Sequence, residues 1–221
     1  MTHSIERGHS VTLDAQGIVP YTSVHQLLSE WLTNTPETTA KAAYEKIQEF
    51  ISGKEHVFLD LSNLELESLP HIFHLAPFTE RLHRFDISNN RLSFFPTNCF
   101  HLKNLRDLKV SRCGIEEIPV SLFQHLPQLT HLDLSYNHIS VIPSKIERLR
   151  ALVHLNLSHN PIHTYPETLL NLPSGCEVNF GDTHLSSNRH TWIKLIEVTS
   201  ENGYKGPDFS SCDGEDQVVP G

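Results

Sequence analysis

"HLDLSYNHISVIP" (residues 131–143) recurs along the chain with little change. Ahead of it stand "FLDLSNLELESLP" (58–70), "RFDISNNRLSFFP" (84–96) and "DLKVSRCGIEEIP" (107–119). After it come "HLNLSHNPIHTYP" (154–166) and a decayed copy, "EVNFGDTHL" (177–185). The paired apolar positions begin at Leu59, Phe85, Leu108, Leu132, Leu155 and Val178, at intervals of 26, 23, 24, 23 and 23 residues. Inside each copy the apolar letters alternate, as they do in a strand whose successive side chains point to opposite sides. Leu132, Leu134 and Ile139 are therefore expected inward, and His131, Asp133 and Ser135 outward. One copy cannot bury its apolar side alone, so neighbours must stack and share a continuous core.

The period and the frame L-x-x-L-x-L-x-x-N-x-L, intact in "LTHLDLSYNHI" (129–139) and "LVHLNLSHNPI" (152–162), resemble the leucine-rich repeat. The resemblance implies an α/β solenoid: a horseshoe with a parallel, concave β-sheet. Asn90, Asn137 and Asn160 sit where the chain leaves the strand and are expected to satisfy exposed backbone groups. Cys113 takes that place in the third copy, and Leu64 and Thr183 take it in the end copies. Pro70, Pro96, Pro119, Pro143 and Pro166 each start a return segment, expected to be extended or a short 3₁₀ turn rather than a full helix.

A stack of this kind exposes apolar edges and needs caps. "SVHQLLSEWLT" (23–33) opens with a Ser-x-x-Gln capping signature, and Val24, Leu27, Leu28, Trp31 and Leu32 fall on one helical face. "TPETTAKAAYEKIQEFISG" (35–53) predicts a second helix with Thr35 as N-cap, Pro36 in the first turn, Gly53 at its end, and Ala40, Ala43, Tyr44, Ile47 and Ile51 on a matching stripe. "SSNRHTWIKLIEVTSENG" (186–203) places Trp192, Leu195, Ile196 and Thr199 along one face of a C-terminal cap. The expected organisation is a tail (1–21), a two-helix N-terminal cap (22–53), the repeats (54–185), a helical C-terminal cap (186–209) and a second tail (210–221).

Composition removes several function classes. A net charge of −9 argues against a broad nucleic-acid footprint. No apolar run reaches the ~18 residues of a membrane span, and "MTHSIERGHSVTLDAQ" lacks a signal-peptide core. Cys99, Cys113, Cys176 and Cys212 are scattered and read as reduced thiols. No Gly-rich phosphate loop, Ser–His–Asp arrangement or H-E-x-x-H motif is present, so no cofactor and no catalytic residue is expected.

A two-helix segment with a Trp, followed directly by "LDLSNLELESLP", resembles the substrate-recognition half of the bacterial IpaH/SspH-type effectors. "LPSGCEVNF" (172–180) and "HLSSNRHTWIKLIEVTSENGYKGPDF" (184–209) are similar to the stretch in that family where a last strand and capping helix lead to a Tyr-x-Gly-Pro segment, here Tyr204, Gly206 and Pro207. The likeness spans about residues 21–209. It implies a domain that selects a host protein inside host cells, coupled in the family to a following ubiquitin-transfer domain with a Cys-x-Asp nucleophile. The repeats here are longer than the family's, and Cys212-Asp213 does not reproduce that spacing. The expectation is thus a monomeric, non-enzymatic module docking a host protein. The alternatives are the recognition half of a ubiquitin ligase and a general intracellular leucine-rich adaptor.

If the strands align, their outward residues form columns. The first reads Phe58, Arg84, Asp107, His131, His154, Glu177; the second Asp60, Asp86, Lys109, Asp133, Asn156, Asn179. A third is serine from Ser62 to Ser158, ending at Gly181, and is expected to be structural filler. The fourth reads Asn63, Asn89, Arg112, Tyr136, His159, Asp182. Arg84, Arg106, Lys109, Arg112, His131, Asp133, Tyr136, His154 and His159 are the expected partner-binding residues, because Arg and Tyr are favoured hot-spot types. His131 and His154 should be cross-strand neighbours, with His138 and His159 on adjoining turns. Such a pair is chemically able to take zinc or respond to protonation, but no Cys or carboxylate completes a ligand spacing, and no metal is expected.

Overall fold

The structure, a computed structural model, describes residues 21–33, 35–53, 56–187, 195 and 206–209. Trp192, Ile196, Thr199, Tyr204, Cys212, both tails and most of the C-terminal cap lie outside the described residues. Two helices come first, α1 (Tyr21–Leu32) and α2 (Glu37–Ser52). Six three-residue strands follow: β1 (Phe58–Asp60), β2 (Arg84–Asp86), β3 (Asp107–Lys109), β4 (His131–Asp133), β5 (His154–Asn156) and β6 (Glu177–Asn179). They form one parallel sheet in chain order. Each middle residue (Leu59, Phe85, Leu108, Leu132, Leu155, Val178) is buried. The leucine-rich-repeat horseshoe expected from the period is the fold.

The return segments answer the apolar punctuation behind the sheet. Thr97–His101, Ser144–Arg148 and Glu167–Asn171 are 3₁₀ turns, opened by Pro96, Pro143 and Pro166. Two others are α-helical, contrary to expectation: α3 (Ala76–Arg81) and the single turn α4 (Leu122–His125). The α3 return belongs to the longest repeat, whose extra residues supply the length that an α turn needs; Pro77 occupies its first turn, where no N–H is required. Behind the strands Phe100, Leu102, Leu105, Ile146, Leu149 and Leu152 complete the core.

The asparagine ladder forms as the spacing implied. Asn137 Oδ1 accepts the Cys113 and Ile115 N–H groups, both at 3.0 Å. Its Nδ2 donates to the Val110, Leu134 and Ser135 carbonyls. Asn90 and Asn160 do the same work for their neighbours. At Cys113 the thiol donates to the Ile87 and Ser111 carbonyls at 3.2 and 3.3 Å, a thinner substitute. The Thr183 hydroxyl donates to the Phe180 carbonyl at 2.7 Å.

The N-terminal cap is aromatic at its seam. Phe50 of α2 stacks on Phe78 of α3 (centroids 5.3 Å), Phe78 meets Phe73 edge-on (5.2 Å), and Phe73 packs on Phe85 of β2 (5.0 Å). Arg81 donates to the Gly53, Phe50 and Ile51 carbonyls, closing the C-terminal end of α2 where the helix dipole favours a cation. Val24, Leu28, Ala43 and Ile47 face the core as predicted, and Leu27, Trp31, Tyr44 and Ile51 pack against it half-buried. Two cap assignments shift. Helix α1 starts at Tyr21, so Ser23 is inside it rather than ahead of it. Pro36, not Thr35, stands at the N-cap of α2, because the Thr35 hydroxyl donates to the Trp31 carbonyl at 2.9 Å and so belongs to the end of α1.

At the far end, the single-turn helix α5 (His184–Ser187) follows β6, Leu195 is buried, and residues 206–209 return beside β6. Val178 N–H donates to the Asp208 carbonyl and Asp208 N–H to the Cys176 carbonyl, each at 2.7 Å. Phe209 stacks on Phe180 at 6.1 Å. The last strand's edge is thus covered, the usual protection against edge-to-edge pairing.

Candidate partner-binding face

Strand register places the outward residues as the repeat arithmetic required. Phe58, Arg84, Asp107, His131, His154 and Glu177 lie directly beside one another across the sheet, and Asp60, Asp86, Lys109, Asp133, Asn156 and Asn179 form the parallel row. These rows differ in how free their side chains are.

The second row is mostly structural. Asp60, Asp86, Asp133, Asn156 and Asn179 each accept, through Oδ1, the backbone N–H two residues on, an Asx turn that ends the strand. Asp133 also accepts the Ser135 hydroxyl at 2.7 Å, so its carboxylate serves the turn. For Asp60, partial burial pushes the carboxyl up, but the Ser62 hydrogen bonds and the Lys46 charge (3.5 Å) outweigh it and hold it below its ordinary value. Lys109 breaks the pattern. It is exposed and cannot accept, and the orphaned Ser111 N–H turns to Ser88 Oγ at 3.3 Å. The serine row is less outward than expected: Ser88, Ser135 and Ser158 are buried, the Ser135 and Ser158 hydroxyls donating to Asp133 and Asn156 of their own turns and Ser88 Oγ accepting from the next repeat.

The first row divides into two groups. Arg84 pairs with Asp107 (Nε to Oδ2, 3.4 Å) and lies over the Phe58 ring at 5.1 Å. His131 and His154 are neighbours, with ring centroids 4.6 Å apart; Thr130 Oγ1 lies 2.9 Å from His131 Nδ1, and His154 Nδ1 is 2.7 Å from Glu177 Oε2. The Arg84–Asp107 pair lies at the surface, where such pairs add little to stability. Arg106 shows an exposed side chain, while its carbonyl accepts the Thr130 and His131 N–H groups.

The fourth row is a continuous stack. The Arg112 guanidinium lies 3.6 Å above the Tyr136 ring, Tyr136 stacks on His159 (centroids 3.8 Å, 15° between planes), and His159 Nε2 reaches Asp182 Oδ2 at 3.2 Å. Together with His138 and His184 they line an open depression of about 700 Å³. Every member of this row has a left-handed backbone: Asn63, Asn89, Arg112, Tyr136, His159 and Asp182 have φ between 53° and 59°. Sequence reading missed this. The signal was present in the Asn, His and Asp at four of the six positions, the residue types that tolerate this conformation.

Two other features were not singled out in the sequence. Phe94 is 80% exposed, beside a cavity of about 310 Å³ near Glu116 and Glu117, and Val141 is also exposed. The doubled aromatic of "SFFP" was the clue, since only Phe95 has an inward place. His163 and His184 hold ring nitrogens 3.0 Å apart. Among the described residues no three His, Cys, Asp or Glu side chains converge as a metal site. Burial pushes the Cys113 thiol up to about 11 and Cys176 to about 12, and raises Cys99 further, so none is a thiolate at neutral pH.

Parallel rows of outward side chains over a stacked core are the architecture of a leucine-rich-repeat solenoid. A leucine-rich-repeat family model matches residues 103–162. Among solved structures, YopM from Yersinia enterocolitica is similar over 73% of this chain and 33% of its own, at 23% identity and a TM-score of 0.54. The Leptospira interrogans leucine-rich-repeat protein LIC12759 is similar over 63% of this chain and 35% of its own, at 23% identity and 0.50. The Arabidopsis receptor kinase HAESA, solved with the peptide hormone IDA and the co-receptor SERK1, is similar over 60% of this chain and 23% of its own, at 27% identity and 0.50. The chain therefore spans about a third or less of the length of these proteins. No helix among the described residues is long and apolar enough to cross a membrane.

Proposed function

We propose that this chain docks a host protein on its strand face, as a bacterial effector-type recognition module. The observation that carries the docking reading is the Arg112–Tyr136–His159 stack. It holds a cation and two rings on successive turns, Arg112 and Tyr136 exposed and His159 half-buried, where the core needs none of them. Lys109, His131 and His154 extend the same face. A proteinaceous ligand is in keeping with HAESA, which was solved with a peptide hormone bound. The effector reading is supported by the resemblance of both caps to IpaH/SspH-type effectors, with Gly206, Pro207 and Phe209 packed beside β6.

Capture from host-cell lysate, comparing the native chain with an Arg112→Glu/Tyr136→Ala variant, tests the docking face. Partners lost by the variant are expected; the same partners retained on a folded variant would reject it. Delivery of a tagged chain into host cells by a secreting bacterium tests the effector reading, and a chain that is never delivered favours a general adaptor. A downstream reading frame encoding a helical domain with Cys-x-Asp would choose the ligase-recognition form.

A further inference from the structure

We infer that the Arg112–Tyr136–His159 stack is an oxyanion receptor, so the partner segment that seats there presents a carboxylate or a phosphorylated side chain. This rests on the docking reading and adds the chemistry of the ligand.

The first support is the state of the guanidinium. The Tyr136 ring covers one face of Arg112 at 3.6 Å, fixing its plane while leaving five in-plane N–H donors at the edge. Three other arginines are already answered, Arg84 by Asp107 at 3.4 Å, Arg91 by Glu65 at 3.2 Å and Arg81 by backbone carbonyls; among the described residues Arg106, Arg148 and Arg150 also lack an ion pair, but none of them is held over a ring as Arg112 is. The Arg112 guanidinium has no hydrogen-bond acceptor or carboxylate among the described residues. Asp182, the carboxylate lining the depression, is held by His159 at 3.2 Å and stands three repeats away. At roughly 4.8 Å per repeat, that is about 14 Å from Arg112.

The second support is independent and comes from the backbone. At the same left-handed position the first two repeats use Asn63 and Asn89, a residue type that accepts positive φ readily. Repeats three and four use Arg112 (φ 54°) and Tyr136 (φ 55°), for which this conformation costs on the order of 1 kcal/mol each. A surface stack of this kind returns a similar amount at most, so stability alone does not account for the choice. Ligand chemistry does. The planar fork suits a bidentate oxyanion, the ring supports it, and His138 lines the same depression, where its imidazole is a further polar group. The chain's −9 charge means that no long-range field draws an anion in, so the recognition has to be local.

The test is a displayed library of random 12-residue peptides selected on the full chain and, in parallel, on Arg112→Gln and Tyr136→Asn. Tyr136→Asn keeps a residue suited to the left-handed turn, so it preserves the fold while removing the ring. Recovered peptides are synthesised in three forms, with Asp/Glu, with Asn/Gln at the same positions, and with phosphoserine there, and titrated by fluorescence anisotropy. The inference expects acidic peptides, at least tenfold weaker binding of the Asn/Gln form, and a tenfold loss on Arg112→Gln with an unchanged circular dichroism spectrum. Whichever of the carboxylate and phosphoserine arms binds more tightly identifies the source of the oxyanion. Peptides that are not acidic, and that lose affinity on Lys109→Glu but not on Arg112→Gln, overturn the receptor while leaving the docking face intact. A selection that enriches no peptide on any of these chains counts against both.

Discussion

Replacing Asn137 by alanine removes a side chain that stitches its own repeat to the one before it, and the structure sets the scale of the loss. Asn137 is 3% exposed. Without its amide, the buried Cys113 and Ile115 N–H groups lose their acceptor and the Val110 carbonyl loses its donor. The Leu134 and Ser135 carbonyls keep donors from Asn160 Nδ2 and the Arg112 N–H. Each orphaned buried group costs about 1–3 kcal/mol, so the two N–H groups alone predict a loss of about 2–6 kcal/mol, out of the roughly 5–15 kcal/mol that holds a typical domain together. Asn160 accepts one such N–H, from Ile139, so Asn160→Ala is expected to lose about half as much. Urea unfolding followed by circular dichroism, with all variants fitted to a common slope, measures the difference. If Asn137→Ala lost less than about 1 kcal/mol, or Asn160→Ala lost more than Asn137→Ala, the ladder would not be what joins the repeats.

Other expectations follow from single contacts. Phe78, fully buried between Phe50 and Phe73, anchors the N-terminal cap; Phe78→Ala is expected to lose about 3–5 kcal/mol and to raise amide exchange in α1 and α2 more than in β4 and β5. Iodoacetamide at pH 8 should leave Cys99, Cys113 and Cys176 unmodified in the native chain and label all three in guanidinium, as read by peptide mass spectrometry, since each thiol is buried and its ionisation raised. His74 should titrate below its ordinary value, because of partial burial first and then the nearby His101 and His71 charges. Its folded value lies below the unfolded one, so its contribution is present above the unfolded value, about 6.5, and is lost as pH falls through the folded value. His101→Gln should move the His74 midpoint upward by NMR, and an unmoved midpoint would remove His101 as a cause.

How far the sequence could be read depended on whether a side chain's role is set by repetition or by its own bonds. Which letters share a row follows from translation along the stack: once Leu59, Phe85, Leu108, Leu132, Leu155 and Val178 are inward, the register of Phe58 through Glu177 has no freedom left. The asparagine ladder was legible for the same reason. An isolated letter does not reveal whether an outward polar group is already engaged. Asp133 and Lys109 stand in one row, yet Asp133 closes its own turn and Lys109 does not. Likewise Phe50 and Arg81 form the cap seam through contacts between segments that no local pattern displays. The repeats themselves supply a sharper criterion than exposure, namely where a repeat gives up the letter that performs a structural task. Residues 107–119 give up all three: Lys109 replaces the turn-closing Asx, Arg112 the left-handed Asn, and Cys113 the ladder Asn. The fold compensates at two of these places, with Ser88 Oγ reaching Ser111 N–H and the Cys113 thiol reaching Ile87 and Ser111. At the third, the compensation is the Tyr136 ring under Arg112, which leaves the guanidinium edge open. A repeat that sets aside its own structural letters, next to one that sets aside another at Tyr136, carries the outward side chains that its turns use least, and it is the part of the face to mutate first.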